Sequence, residues 1–85
     1  MKRSRNIRVH ARQRAVQRYG VNISNRKRRE IIGMIHFGVG KFVKRRSVRV
    51  TEWEISLGGE TLRVLYDKTR KEIVTFLPPK SSSLN

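Results

Sequence analysis

The chain has 85 residues, of which 21 are lysine or arginine, six are acidic and none is cysteine, so its formal net charge is +15. A chain of this length buries only about 60–65% of its unfolded surface, which excludes a second domain with its own core. The missing thiols exclude a disulfide framework, and no run of about 18 apolar residues predicts a membrane-spanning helix, so we expect a cytoplasmic protein without membrane contacts.

The first predicted helix extends from Asn6 to Tyr19 and follows a basic lead-in at residues 1–5. Asn6 is a candidate N-cap, and Gly20 stands at the position where many helices end. Apolar residues recur at every fourth position of this segment, namely Ile7, Ala11, Ala15 and Tyr19. A column with this spacing lies on one face of a helix, so it predicts the face that packs on the core.

A basic column runs beside the apolar one and consists of His10, Arg14 and Arg18. Because the two columns are neighbours, we expect the imidazole to lie at the rim of the core with guanidinium groups beside it. A column of this kind is also typical of an ordinary solvated basic face. The residue pattern alone leaves catalysis and simple phosphate binding equally open for this face.

A second helix is predicted after the short link at residues 21–23, with Ser24 or Asn25 as its N-cap. Its apolar residues form a broad face opposite a cationic turn at residues 26–29, and they are Ile31, Ile32, Met34, Ile35 and Phe37. The glycines that follow Phe37 are expected to end this helix.

His36 lies near the end of the second predicted helix. A histidine at that place is more often structural than catalytic, because it interacts favourably with the C-terminal end of the helix dipole. The chain has only two histidines and few carboxylates, which does not indicate a zinc site. We therefore expect neither a metal nor another cofactor.

Beyond the second helix the hydrophobic period changes from helical to alternating, as in a strand with one buried face. Three strands are predicted from this alternation, at residues 50–57, 60–67 and 72–77. Gly58 and Gly59 form a strong two-residue hairpin signal between the first two of these strands. A further strand at residues 42–48 is less regular, because cationic residues interrupt it. These residues are Lys44, Arg45 and Arg46.

The order of these elements predicts an α+β fold, with two N-terminal helices packed on one face of an antiparallel sheet of three or four strands. A single domain is expected at residues 6–79, followed by a polar, disordered tail at residues 80–85. Arg63 is expected on the sheet face that the helices leave open. Trp53 is assigned to the core, whereas Tyr66 is open between core packing and base stacking.

The excess of positive charge favours a polyanionic partner, and RNA is the simplest one for a small basic α+β domain. Arginine suits phosphate because its planar fork matches two phosphate oxygens. The residues predicted to bind nucleic acid are the cations of the second helix, the weak strand and the open sheet face. They are Arg26, Lys27, Arg28, Arg29, Lys44, Arg45, Arg46 and Arg63.

Two segments carry a resemblance to a known family. HARQRAVQRYGV at residues 10–21 and RVLYDKTRKEIVTFLP at residues 63–78 resemble the opening helix and the closing hairpin of the RelE-like ribonuclease superfamily, with its DUF4258-like and RegB-like small endoribonucleases. The resemblance implies a RelE-like α+β fold. It also implies a toxin-like or phage-regulatory protein that acts on single-stranded RNA or mRNA.

The resemblance further implies which residues would act. RNA cleavage of this type needs no metal, because the 2′-hydroxyl is an internal nucleophile. On this scheme His10 is the candidate acid or base, and Arg14, Arg18 and Arg63 are candidate phosphate clamps. Thr75 on the last strand, or Tyr66, is the candidate for positioning the substrate. The implied partners are RNA, the ribosome and an acidic antitoxin or inhibitor protein. The alternative is a non-catalytic nucleic-acid- or ribosome-binding protein on the same scaffold.

Overall fold

The structure is a computed structural model that describes residues 2–79, with side chains from residue 7 onward. It confirms the α+β plan: two helices precede a four-stranded antiparallel sheet in the order β1-β2-β3-β4. The elements are α1 (Lys2–Tyr19), α2 (Asn25–His36), β1 (Lys41–Arg45), β2 (Val50–Leu57), β3 (Glu60–Asp67) and β4 (Glu72–Leu77). The predicted tail at residues 80–85 lies outside the described residues.

The first helix is longer than predicted, since α1 begins at Lys2 and includes the part of the basic lead-in that the structure describes. Residues 2–5 contain neither proline nor glycine, and lysine and arginine are good helix formers, so nothing local stops the helix there. The predicted end is confirmed. Gly20 has a positive φ of 67°, and its N–H donates to the Val16 carbonyl at 2.9 Å.

The second helix starts as predicted. The Ser24 hydroxyl accepts a hydrogen bond from the Lys27 amide at 3.2 Å and so caps the first turn of α2. The helix buries Ile31 and Ile35, which confirms that this face of α2 packs on the core. The prediction for Phe37 is wrong, because this residue follows the last residue of α2 and is 85% exposed. The helix ends at His36, just before Gly38 adopts a φ of 73°.

The strands confirm the alternating pattern. Gly58 and Gly59 have φ values of 61° and 81°, which a two-residue primed turn requires, and they join β2 directly to β3. The weaker strand is present but shorter than predicted, because β1 ends at Arg45. Beyond it the amides of Arg46 and Ser47 both donate to the Val50 carbonyl and form the turn into β2.

The helices cover one face of the sheet, which we call the helix-side face; the opposite one is the open face. Side chains directly opposite on paired strands share a face. The buried apolar side chains of the core are Ala11, Ala15, Ile23, Ile31, Ile35, Ile55, Leu62, Val64, Tyr66, Ile73 and Phe76. Trp53 is half-buried at the margin of this core, and Tyr66 is only 3% exposed, so its place is in the core.

Candidate nucleic-acid interface

The two columns predicted on α1 differ in burial. Ala11 and Ala15 are buried, which confirms that their column packs on the core. In the basic column, Arg14 and Arg18 are half-buried, but His10 is exposed. The expectation that the imidazole lies at the rim of the core is therefore corrected. His10 lies about 100° around the helix from Ala11, and its side chain is shorter than those of the two arginines in its column.

The guanidinium groups of this column have partners within the chain. Arg14 Nη1 donates to Gln17 Oε1 at 2.7 Å, and Arg18 Nη1 donates to the Phe76 carbonyl at 3.1 Å. The Arg18 contact ties α1 to β4. Each guanidinium has five N–H donors, so these bonds leave donors that can contact a phosphate.

Thr75, the fourth predicted catalytic residue, lies on the open face. It is paired with Leu65, which is paired with Glu52, and residues paired in this way share a face. The helix α1 packs on the other face of β4, beside Phe76. The structure therefore does not bring Thr75 to the same side of the sheet as the His10 column.

A buried carboxylate joins both helices to the last strand. Glu72 is only 5% exposed, and it accepts hydrogen bonds from Arg8 Nε and Arg28 Nη1, each at 3.0 Å. A carboxylate buried at this depth needs such partners, because an unpaired buried charge is costly. Arg28, predicted to contact phosphate, is thus held within the protein.

A second buried carboxylate lies on the open face. Glu52 is only 1% exposed and accepts from Arg46 Nη1 at 3.0 Å and from Arg63 Nη2 at 2.9 Å. Arg63 also donates to the Pro78 carbonyl at 3.0 Å. The predicted position of Arg63 is confirmed, but a phosphate would compete there with Glu52. The sequence carries no signal for either carboxylate cluster, because the partners are brought together only by the fold.

The eight residues predicted to bind nucleic acid therefore fall into two groups. Arg28, Arg46 and Arg63 form ion pairs with buried glutamates. The other members of the set are all exposed, and they are Arg26, Lys27, Arg29, Lys44 and Arg45. The exposed group is the better candidate for contacts with an external polyanion.

His36 and Tyr66 form a pair that sequence reasoning did not find. His36 Nε2 and the Tyr66 hydroxyl are joined by a hydrogen bond of 2.6 Å, with the rings edge-on at a centroid distance of 5.6 Å. Burial raises the pKa of the Tyr66 phenol above its ordinary value, and the carboxylates of Asp67 and Glu72 raise it further. The bond joins the end of α2 to the end of β3.

Every residue of β1 is exposed, unlike those of the other strands. Phe42, within β1, is 52% exposed, and Phe37, in the turn before it, is 85% exposed. Phe42 packs against Trp53 in an edge-on arrangement with ring centroids 5.4 Å apart. Exposed aromatic rings among cations are a feature that single-stranded nucleic-acid sites share.

Within residues 2–79, no cluster of three or more histidines, cysteines, aspartates or glutamates could hold a metal ion. No helix of this part of the chain is long and apolar enough to cross a membrane. A comparison of the chain with protein-family models, curated proteins and solved structures found no match. The resemblance to RelE-like ribonucleases therefore stays a hypothesis that is carried by the two segments alone.

Proposed function

We propose that this protein binds RNA through exposed cations on α2 and β1. The observation that carries the proposal is the unequal placement of charge. Three of the six acidic residues, Glu52, Asp67 and Glu72, are buried and accept hydrogen bonds from the chain itself. A large part of the net charge of +15 is therefore left on surface side chains, where it attracts a polyanion.

The first turn of α2 supports the same proposal. It contains no acidic residue, and Arg26 and Lys27 are exposed there, with the exposed Arg29 directly after it. The positive end of the helix dipole adds to their charge. Arg28 is the exception within this turn, because it reaches back to Glu72 and stabilises the fold instead.

The test is the salt dependence of RNA binding. Each phosphate contact with a single strand adds about 0.7 to the slope of log affinity against log salt. We expect the combined change Arg26→Ala, Lys27→Ala and Arg29→Ala to reduce this slope, whereas Lys68→Ala in the β3–β4 turn serves as the control. Fluorescence anisotropy with labelled RNA measures both. No binding by the wild type at low salt would contradict the proposal.

The second candidate function is metal-independent cleavage of RNA by the α1 column, as in the RelE-like ribonucleases. The contact between Arg18 and the Phe76 carbonyl favours this candidate. It places the basic column of α1 beside β4, and β4 belongs to the second segment that resembles the family. An exposed His10 is accessible to a substrate, and it would act as the acid or base while Arg14 and Arg18 hold the phosphate.

Cleavage is tested with labelled RNA in excess chelator. His10→Ala removes a proton-transfer group and little charge at neutral pH, so RNA binding is retained while cleavage falls by about 10²–10⁴-fold. Arg14→Ala and Arg18→Ala weaken both binding and rate. If the wild type binds RNA without cutting it, the non-catalytic binding protein is the correct alternative.

The partners implied by the resemblance belong to the same proposal. An acidic antitoxin or inhibitor protein would complement the net charge, and ribosomal RNA would offer the same phosphates as free RNA. Either partner would be met in the cytoplasm, so the proposal includes a cytoplasmic location. Co-purification with ribosomes at low salt, and release at high salt, is the measurement that separates a ribosomal partner from free mRNA.

A further inference from the structure

The apolar side chains at the β1 edge are exposed on a backbone that is well fixed. After α2 the amides of Phe37, Gly38 and Val39 donate to the carbonyls of the last helical turn, at 2.9, 3.2 and 2.9 Å. Gly40 then packs so closely that a Cβ would collide with Ile55. Phe37 and Val39 are thus exposed on an ordered turn, and their side chains do not contribute to the core. Such patches mark interaction sites.

The two faces of β1 differ in charge. On the open face, Lys41 is paired with Glu54 and Lys44 with Glu52, so each lysine stands opposite a carboxylate. On the helix-side face, Phe42 is paired with Trp53 and Arg45 with the neutral Thr51. The helix-side face of β1 therefore carries an exposed aromatic ring and a cation that has no carboxylate opposite it. We call Phe42 and Arg45 the edge platform.

The edge platform continues into polar groups on the neighbouring strands. Thr51, which is opposite Arg45, is paired in turn with Tyr66, and Tyr66 is bonded to the exposed His36. Neighbouring strands are about 4.8 Å apart, so this row spans roughly 10 Å from Arg45 on β1 to Tyr66 on β3, and His36 lies beyond Tyr66. The Trp53 indole N–H is occupied by the Thr51 hydroxyl at 2.8 Å, which fixes the ring that supports Phe42.

We infer that the edge platform binds an unpaired nucleotide of a single-stranded nucleic acid, with the base stacked on Phe42 and a phosphate held by Arg45. The inference rests on the proposed function, because it takes a polyanionic partner from there. A duplex hides the faces of its bases, whereas a single strand offers them to an aromatic ring. A held ring loses little entropy when a base stacks on it, and Trp53 holds Phe42 in this way.

A second copy of the chain fits this edge less well. An antiparallel β1–β1 pair would bring the lysines and arginine of both strands close together, and like charges opposite each other are destabilising. Charged edges of this kind are a common device against pairing with another strand. An acidic peptide strand remains the competing occupant, and the experiment includes it.

The test compares a short oligouridine, the matching oligothymidine and an RNA duplex, with oligoglutamate as competitor. We expect Phe42→Ala to weaken oligouridine binding about 5- to 150-fold, the range that corresponds to the stacking of one base, and to leave duplex binding unchanged. Arg45→Gln should weaken the binding of all nucleic acids and lower the salt slope by roughly 0.7 for the single strand. Oligothymidine reports whether the 2′-hydroxyl contributes.

The control is Val16→Ala, which shortens an exposed apolar side chain on α1, outside the edge platform. Phe42→Leu keeps apolar volume and removes stacking, so it tests the inference if Phe42→Ala does not fold. Quenching of the Trp53 fluorescence by oligouridine in the wild type is an independent readout of binding at this place.

If Phe42→Ala lowers the affinity for the single strand and for the duplex equally, or if Phe42→Leu does not lower the affinity for oligouridine, the inferred nucleotide site at the edge platform is wrong. The proposed RNA binding would still stand. Stronger binding of oligoglutamate than of oligouridine would assign the edge to an acidic peptide. Failure of the wild type to bind any of the nucleic acids would instead remove the proposed function.

Discussion

The two edges of the sheet are built in opposite ways. Phe42, Trp53, Val64 and Phe76 form one row across the helix-side face, so a phenylalanine stands at each end of it. Phe76, on β4, is buried beneath α1, whereas Phe42, on β1, is half-exposed. The same residue type in the same row thus serves the core at one edge and faces solvent at the other.

The β4 edge is covered by side chains of α1. Arg18 donates to the Phe76 carbonyl, and Tyr19 donates to the Leu77 carbonyl at 2.6 Å while accepting from the Arg63 amide at 3.0 Å. The β1 edge has charge in place of a covering helix. A helix protects an edge permanently, whereas cations protect it from other strands and leave it accessible to an anion. This difference is the reason for our proposal that an external partner binds at the β1 edge.

The largest expected effect is at Phe76, the buried end of this row. Phe76→Ala should lower the free energy of unfolding by about 3–5 kcal/mol, because it removes a large side chain from a closed core. Phe42→Ala should lower it by only about 0.7–1.5 kcal/mol, since about half of this residue is exposed to water already. Urea denaturation of both variants measures the contrast. Similar losses at the two positions would mean that both edges belong to the core.

A smaller effect is expected at the carboxylate that joins both helices to β4. Glu72→Ala leaves Arg8 and Arg28 without their partner, and the cost is about 1–3 kcal/mol because Arg8 can turn to water while Arg28 is held more deeply. Glu54→Ala is the matched change of a half-buried glutamate on β2, opposite Lys41 of β1. The prediction is wrong if thermal unfolding shows Glu54→Ala to be the more damaging variant.

The smallest effect concerns alkaline pH. Burial raises the pKa of the Tyr19 and Tyr66 phenols above the ordinary value of 10.0. The folded state therefore favours the neutral phenol, so the stabilisation is fully present below pH 10 and is lost as the pH rises through the folded pKa values. Tyr66→Phe should make stability less sensitive to pH in this range. Denaturation of both proteins on either side of pH 10 checks this, and equal slopes would contradict it.

Local rules in the sequence determined most of the fold. Three such rules each specify structure over a few residues: the spacing of four between Ala11 and Ala15, the cap at Ser24 and the glycine pair at 58–59. The buried helix face, the helix start and the hairpin turn that they predict are all confirmed. The start of α1 differs, because Asn6 does not cap a helix whose preceding residues also favour helix, and α1 begins at Lys2.

Only the tertiary structure decided which charges face outward. Glu72 meets Arg8 and Arg28, which lie 64 and 44 positions away in the chain, and no local pattern encodes such a pairing. The same holds for the bond between His36 and Tyr66. A cation's spacing along the chain predicts the face it occupies, but whether it pairs with a buried carboxylate or is left for a phosphate depends on which strands and helices the fold brings beside it.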